Sequence, residues 1–189
     1  MAIFVQSSHQ DLTISSLSGE ILALTFTHCY RRDFLGGLSW DENYPAMQDH
    51  KFIYDLVGAK DVKWLKINDV VGCWRWHEMS RISNTIKINK FSCHVEATRA
   101  STELIRQRGA LTVSRRKAAA RNIWNNLHAI FELDLKWSLN MARYALELDP
   151  GSRPTNTPPW FKNIVNRFPI GAEIAYSFAR MFVKKIKYR

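Results

Sequence analysis

Residues 114–149 read SRRKAAARNIWNNLHAIFELDLKWSLNMARYALELD, and their apolar positions recur at helical spacing. Ile123, Leu127, Ile130 and Phe131, Leu135, Leu139, Ala142 and Leu146 follow one another at intervals of three and four, as on one face of an α-helix. Ser114 is placed to cap the start. Asp149-Pro150-Gly151 ends the pattern, because proline cannot continue a helix and glycine favours its exit. A single helix of that length would reach roughly 50 Å, long for a globular core, so a break is expected near residues 132–136. Just before it, Leu104, Ile105 and Arg108 followed by Gly109 predict a short helix stopped by glycine. Beyond it, residues 150–159 hold four prolines among small polar residues and read as a linker or extended arm. Residues 160–168 and 171–189 predict two further helices on either side of Pro169.

Upstream of residue 98 the period shortens to two. Runs at residues 3–5, 12–14, 21–26, 62–67, 70–76 and 85–95 are rich in β-branched and aromatic side chains and predict strands. Turn signals at Ser18-Gly19, Gly36-Gly37, Asn43-Tyr44-Pro45, Gly58 and Asn68-Asp69 separate them. One short helix is expected within residues 44–57, where Met47, Phe52, Ile53 and Leu56 approximate helical spacing. The expected architecture is α+β. An N-terminal antiparallel β-rich lobe over residues 1–98 precedes a basic helical region (99–149), the proline-rich segment (150–159), and C-terminal helices with a basic tail (160–189).

With 189 residues and 46% hydrophobic positions, the chain is large enough to bury a core. It contains no uncharged apolar run of membrane-spanning length and begins without a signal-like segment, so a cytoplasmic or otherwise intracellular setting is expected. Cys29, Cys73 and Cys93 are odd in number and widely spaced, a poor disulfide framework.

The net charge of +10 is divided unevenly. Residues 1–98 carry 10 Lys and Arg against 11 Asp and Glu, whereas residues 99–189 carry 17 against 6. Arg106, Arg108, Arg115, Arg116, Lys117 and Arg121 gather where the long helix begins. Cations there oppose the helix dipole at a cost of about 0.3–1 kcal/mol each unless an anion neutralises them. A phosphate accepts from free backbone N–H groups and from guanidinium forks together, so the cluster points to the backbone of DNA or RNA. The competing reading is a solvated basic face, or pairing with acids such as Asp33, Asp41 and Glu42. A second basic group, Lys184, Lys185 and Lys187 with Arg189, ends a helix on which Ile174, Phe178, Met181 and Phe182 share a face. Cations there complement the dipole, and the element suits a docked terminal helix, nucleic-acid contact or an anionic membrane surface.

Conventional catalytic signatures are missing. His28-Cys29, Cys73-x3-His77 and Cys93-His94 supply zinc-type ligands, but neighbours along a strand point to opposite faces and cannot chelate as a local pair. Acid-x-Lys triplets of the kind found in metal-dependent nucleases occur at Asp49-His50-Lys51, Asp61-Val62-Lys63 and Asp134-Leu135-Lys136. Of these, Asp61 and Lys63, with Asp49 or Asp55, form the best candidate for holding Mg2+ and polarising a phosphate. Trp74 and Trp76 alternate with Arg75 and suit either packing or base stacking. Neither a nucleophile triad nor a glycine-rich phosphate loop is present, and no cofactor is implied. The leading expectation is a non-enzymatic nucleic-acid-binding protein in a larger assembly, its N-terminal lobe and proline-rich arm meeting protein partners. The alternatives are a structural or assembly subunit, resting on a membrane or an acidic protein, and a Mg2+-dependent nuclease at Asp61 and Lys63.

Overall fold

The computed structural model describes residues 11–20, 29–64, 87–154 and 157–187; the side chains of 87–89 and 184–187 are not among those described. Eight α-helices lie among these residues: α1 (Leu12–Leu17), α2 (Arg32–Leu35), α3 (Gln48–Ala59), α4 (Lys87–Gln107), α5 (Val113–Ile130), α6 (Leu135–Leu148), α7 (Lys162–Arg167) and α8 (Pro169–Lys187). A 3-10 turn, Pro159–Phe161, leads into α7. No strand occurs among the described residues, so the expected α+β architecture with its β-rich N-terminal lobe is overturned. The predicted strand at 12–14 is α1, most of that at 85–95 is the first part of α4, and residues 62–64 are irregular. The remaining predicted strands, including Trp74 and Trp76, lie outside the described residues.

The physical reason for the reversal at α4 lies in its hydroxyls. Its buried face runs through Val95, Thr98, Ser101, Thr102 and Ile105, a helical series with three polar members. Thr98 Oγ1 donates to His94 O at 2.7 Å and Thr102 Oγ1 donates to Thr98 O at 2.7 Å, which satisfies both groups within the helix and lets them be buried. Ser101 Oγ donates across to Tyr54 O of α3 at 2.8 Å. An apolar pattern that omits these positions leaves only the alternation at Phe91, Cys93 and Val95. At α1 the cap decides: Asp11 Oδ1 accepts from Thr13 N at 2.8 Å and Ile14 N at 3.3 Å.

Helix α5 is the centre of the core. Ala118, Ala119, Ala120, Ile123, Trp124 and Leu127 are buried, and the alanines allow close approach by neighbouring helices. α4 and α6 flank α5 through the short connections 108–112 and 131–134, which make sequential helices antiparallel; α1 packs on α5 and α3 on α4. The break expected at 132–136 falls at 131–134, where Asp134 caps α6 by accepting from Trp137 N at 3.0 Å. α5 is capped by Thr112 rather than Ser114. Gly109, at φ +71°, ends α4, with Gly109 N donating to Arg106 O and Ala110 N to Ile105 O, the two bonds of a Schellman exit. Gly19 is needed twice over: its φ is +73°, and a Cβ there would stand 3.0 Å from Asn122 Oδ1. The start of the proline-rich segment packs back on the core. Trp124 Nε1 donates to Ser152 Oγ at 3.1 Å, and both Ser152 and Pro154 are buried.

Helix α8 docks by polar contacts. Glu173, fully buried, accepts from His128 Nδ1 of α5 at 2.9 Å, and Tyr176 stacks on the imidazole with centroids 5.0 Å apart. Arg180 pairs with Glu132 and donates through Nη1 to His128 O at 2.8 Å, satisfying a carbonyl in the last turn of α5. The face expected to dock divides: Ile174 is half-buried against the core, whereas Phe178 and Phe182 are exposed.

Candidate nucleic-acid interface

The cations at the start of α5 meet the fold in two different ways. Arg115 is almost wholly buried and donates through Nε to Asp11 Oδ2 at 3.1 Å and through Nη1 to Ala110 O at 2.9 Å. Its Nη2 lies 3.0 Å from Asp11 Oδ2 and 2.9 Å from Asp61 Oδ1. Asp11 therefore caps α1 with one oxygen and anchors α5 with the other. Arg108 donates to Gly58 O and Val57 O, each at 3.1 Å, and to Asp61 Oδ1 at 3.0 Å. It closes the last turn of α3, where unpaired carbonyls favour a cation.

Hydrogen bonds from Arg108 first, and then from Arg115, hold the Asp61 carboxyl below the usual carboxylate range. A group with a depressed pKa stabilises the fold fully above its unfolded value of about 3.9 and loses that contribution as pH falls through the lower folded value. An Asp61→Asn variant is therefore expected to melt below wild type at neutral pH and to converge with it in strong acid. Melting curves from pH 7 down to pH 2 read this directly; a constant gap across that range counts against it. Asp61 is also the acid of the nuclease candidate, and its carboxylate already serves two guanidinium groups. Asp55 pairs with Lys51, and Asp49 accepts from the backbone of His50. Lys63 is exposed.

The other cations are less occupied. Arg106 reaches Glu103 and Glu147, each at 3.3 Å, and lies over the ring of Tyr144. Arg116 is half-buried, with a buried Nε that has no hydrogen-bond partner, while Lys117 and Arg121 are exposed. Among the described residues, no carboxylate stands within ion-pair distance of Arg116, Lys117 or Arg121. Arg106, Gly109, Leu111, Arg116 and Glu147 line an open depression of about 350 Å³ between the end of α4, the start of α5 and the end of α6. The structure thus brings Arg106 and Arg116 together at one hollow, keeps Lys117 and Arg121 four residues apart on the outer face of α5, and engages Arg108 and Arg115 internally. Lys184, Lys185 and Lys187 belong to α8, with side chains outside the description.

Sequence reasoning missed Asp11 and Asp61 as the partners of the cluster. Asp33 pairs instead with Arg31, and Asp41 accepts from Asn43 N. Of the zinc-type pairs, Cys93 and His94 sit side by side on α4, where burial raises the thiol and, with the charges of His50 and Lys90, pushes the His94 imidazole down to about 3. Among the described residues no three His, Cys, Asp or Glu side chains converge on a metal position. Nor is any helix among them long and apolar enough to cross a membrane. Compared with protein-family models, curated proteins and solved structures, the chain matches none.

Proposed function

We propose that the protein is a non-enzymatic binder of the phosphate backbone of DNA or RNA, through Arg116, Lys117 and Arg121 with Arg106 at the rim of the depression. One observation carries this reading: Arg116 and Lys117 stand at the end of the first turn of α5, close to the positive end of its dipole, with Arg121 one turn further on, and among the described residues none of the three has a carboxylate within ion-pair distance. Lys117 and Arg121, four residues apart, also repel each other along the helix. A phosphate chain lying along the start of α5 relieves both costs, and Arg106 and Arg116 reach it from the depression that they line together with Glu147. Arg108 and Arg115 hold the surface in position from behind. Contacts of this type fix position without reading sequence.

The test is fluorescence anisotropy with a labelled generic oligonucleotide across a salt series. An Arg116→Ala, Lys117→Ala, Arg121→Ala triple variant is expected to bind roughly tenfold or more weakly, with a salt slope shallower by about two to three. Equal binding by variant and wild type, or affinity indifferent to salt, overturns the proposal.

A further inference from the structure

Helix α8 buries Glu173 and Ser177 beside Ala172 and turns a run of apolar side chains to solvent. At 100° per residue Glu173, Ser177 and Arg180 share the inner face, where they meet α5. Every exposed position from 171 to 183 is apolar: Gly171, Ala175, Phe178, Ala179, Phe182 and Val183. Phe178 is 52% exposed and Phe182 67%. Phe168, 60% exposed, continues the face, because its Cβ lies 3.9 Å from where a side chain on Gly171 would begin. Trp160 and Ile164 add exposed apolar surface along the preceding turn and α7. A surface helix of a free-standing protein shows the opposite arrangement, so a contiguous apolar face of this kind marks a contact site.

The sequence of this region is strongly basic. Residues 160–189 contain seven Lys and Arg and a single acid, Glu173, which is fully buried against His128. Arg167 lies over the ring of Phe168 at 5.6 Å, and four of the cations fall in residues 184–189. We propose that this face rests on an anionic lipid surface, with Phe178 and Phe182 at the acyl boundary, held there also by the positive charge that the sequence gives to residues 160–189. A lipid surface supplies both an apolar phase and negative charge, which matches both halves of the pattern. A second copy of the chain supplies apolar surface but carries the same net positive charge over residues 160–189, so it matches only one half. Nucleic acid offers phosphates but leaves an aliphatic and phenyl helix face uncovered. With no described helix able to cross a bilayer, the contact lies in the plane of the interface. This surface is separate from the cations of α5 and does not depend on their role.

The test is flotation of the full chain with vesicles of phosphatidylcholine alone and of phosphatidylcholine mixed with phosphatidylserine. Wild type is expected to float with the mixed vesicles and roughly tenfold less with the neutral ones. A Phe178→Ser, Phe182→Ser variant, whose changes lie on the exposed face and should leave the melting curve unaltered, is expected to remain at the bottom with both. A Lys184→Glu, Lys185→Glu variant should lose the preference for phosphatidylserine. Equal partitioning of wild type between the two vesicles, or wild-type flotation by the phenylalanine variant, overturns the proposal. So does a lipid-free dimer, seen by light scattering, that the phenylalanine variant converts to monomer. The Arg116, Lys117 and Arg121 triple variant should float as wild type even where it fails to bind oligonucleotide. If it does not float, α5 rather than α8 carries the attraction and the assignment to α8 falls.

Discussion

A Glu173→Ala variant is expected to be less stable than wild type by about 3 kcal/mol, because truncating one partner of a buried, hydrogen-bonded pair leaves the other without compensation. His128 Nδ1 donates to Glu173 at 2.9 Å, and the carboxylate is completely shielded from solvent. Its removal strands the imidazole N–H against the Tyr176 ring and opens a void beside Ser177. Helix α8 holds few apolar anchors on its inner side, so the loss should also free residues 160–187 to protease before the rest of the chain unfolds. Urea denaturation gives the stability and limited proteolysis the locality. A double variant, His128→Leu with Glu173→Leu, separates the causes: a recovered midpoint places the penalty on the stranded polar group, whereas a further fall places it on the shape of the interface. A Glu173→Ala midpoint within error of wild type refutes the account of how α8 is docked.

Trp124→Ala carries the other large effect. The indole is fully buried at the middle of α5, in the core shared with α4 and α6, and its loss should cost about 3–5 kcal/mol through lost contacts and the cavity left behind. The same ring donates to Ser152 Oγ, which itself donates to Ala145 O at 3.3 Å. Trp124→Phe keeps much of the packing and removes the N–H bond, and a cost of about 1–2 kcal/mol is expected for it. Chemical denaturation of the two variants side by side checks both values. If phenylalanine proves as damaging as alanine, the bond to the segment after α6 matters more than the packing.

The two halves of the sequence were legible to different degrees for a definable reason. The stops at Gly109 and Asp149-Pro150-Gly151 act through neighbours within a few residues and stand where the sequence puts them, but the buried face of α6 runs through Ser138, Met141, Ala142, Ala145 and Leu148, while Leu135 of the predicted face is exposed and Leu139 and Leu146 are only partly buried. α4 hides its face behind Thr98, Ser101 and Thr102, which count as polar in any periodicity yet are buried once their hydroxyls find backbone carbonyls. Gly58, a turn signal in sequence, sits within α3, where a Cβ would stand 3.0 Å from Leu104 Cδ1 of α4. The concentration of cations at the start of α5 was readable, but their neutralisation was not. Arg115 is matched by a carboxylate 104 residues away, and nothing local to either residue announces the other.

The stops at Gly109 and Asp149-Pro150-Gly151, the break between α5 and α6 and the gathering of positive charge in the second half follow from short-range covalent and steric rules, so the order of residues alone was enough to determine them. Three things waited on the folded chain: that the described elements of the first half are helices, that Asp11 and Asp61 quench Arg108 and Arg115 while no described carboxylate pairs with Lys117 or Arg121, and that α8 presents Phe178 and Phe182 outward. Each depends on which groups distant in sequence arrive at the same place. A buried hydroxyl, guanidinium or carboxylate is tolerable only when its partner is there to meet it.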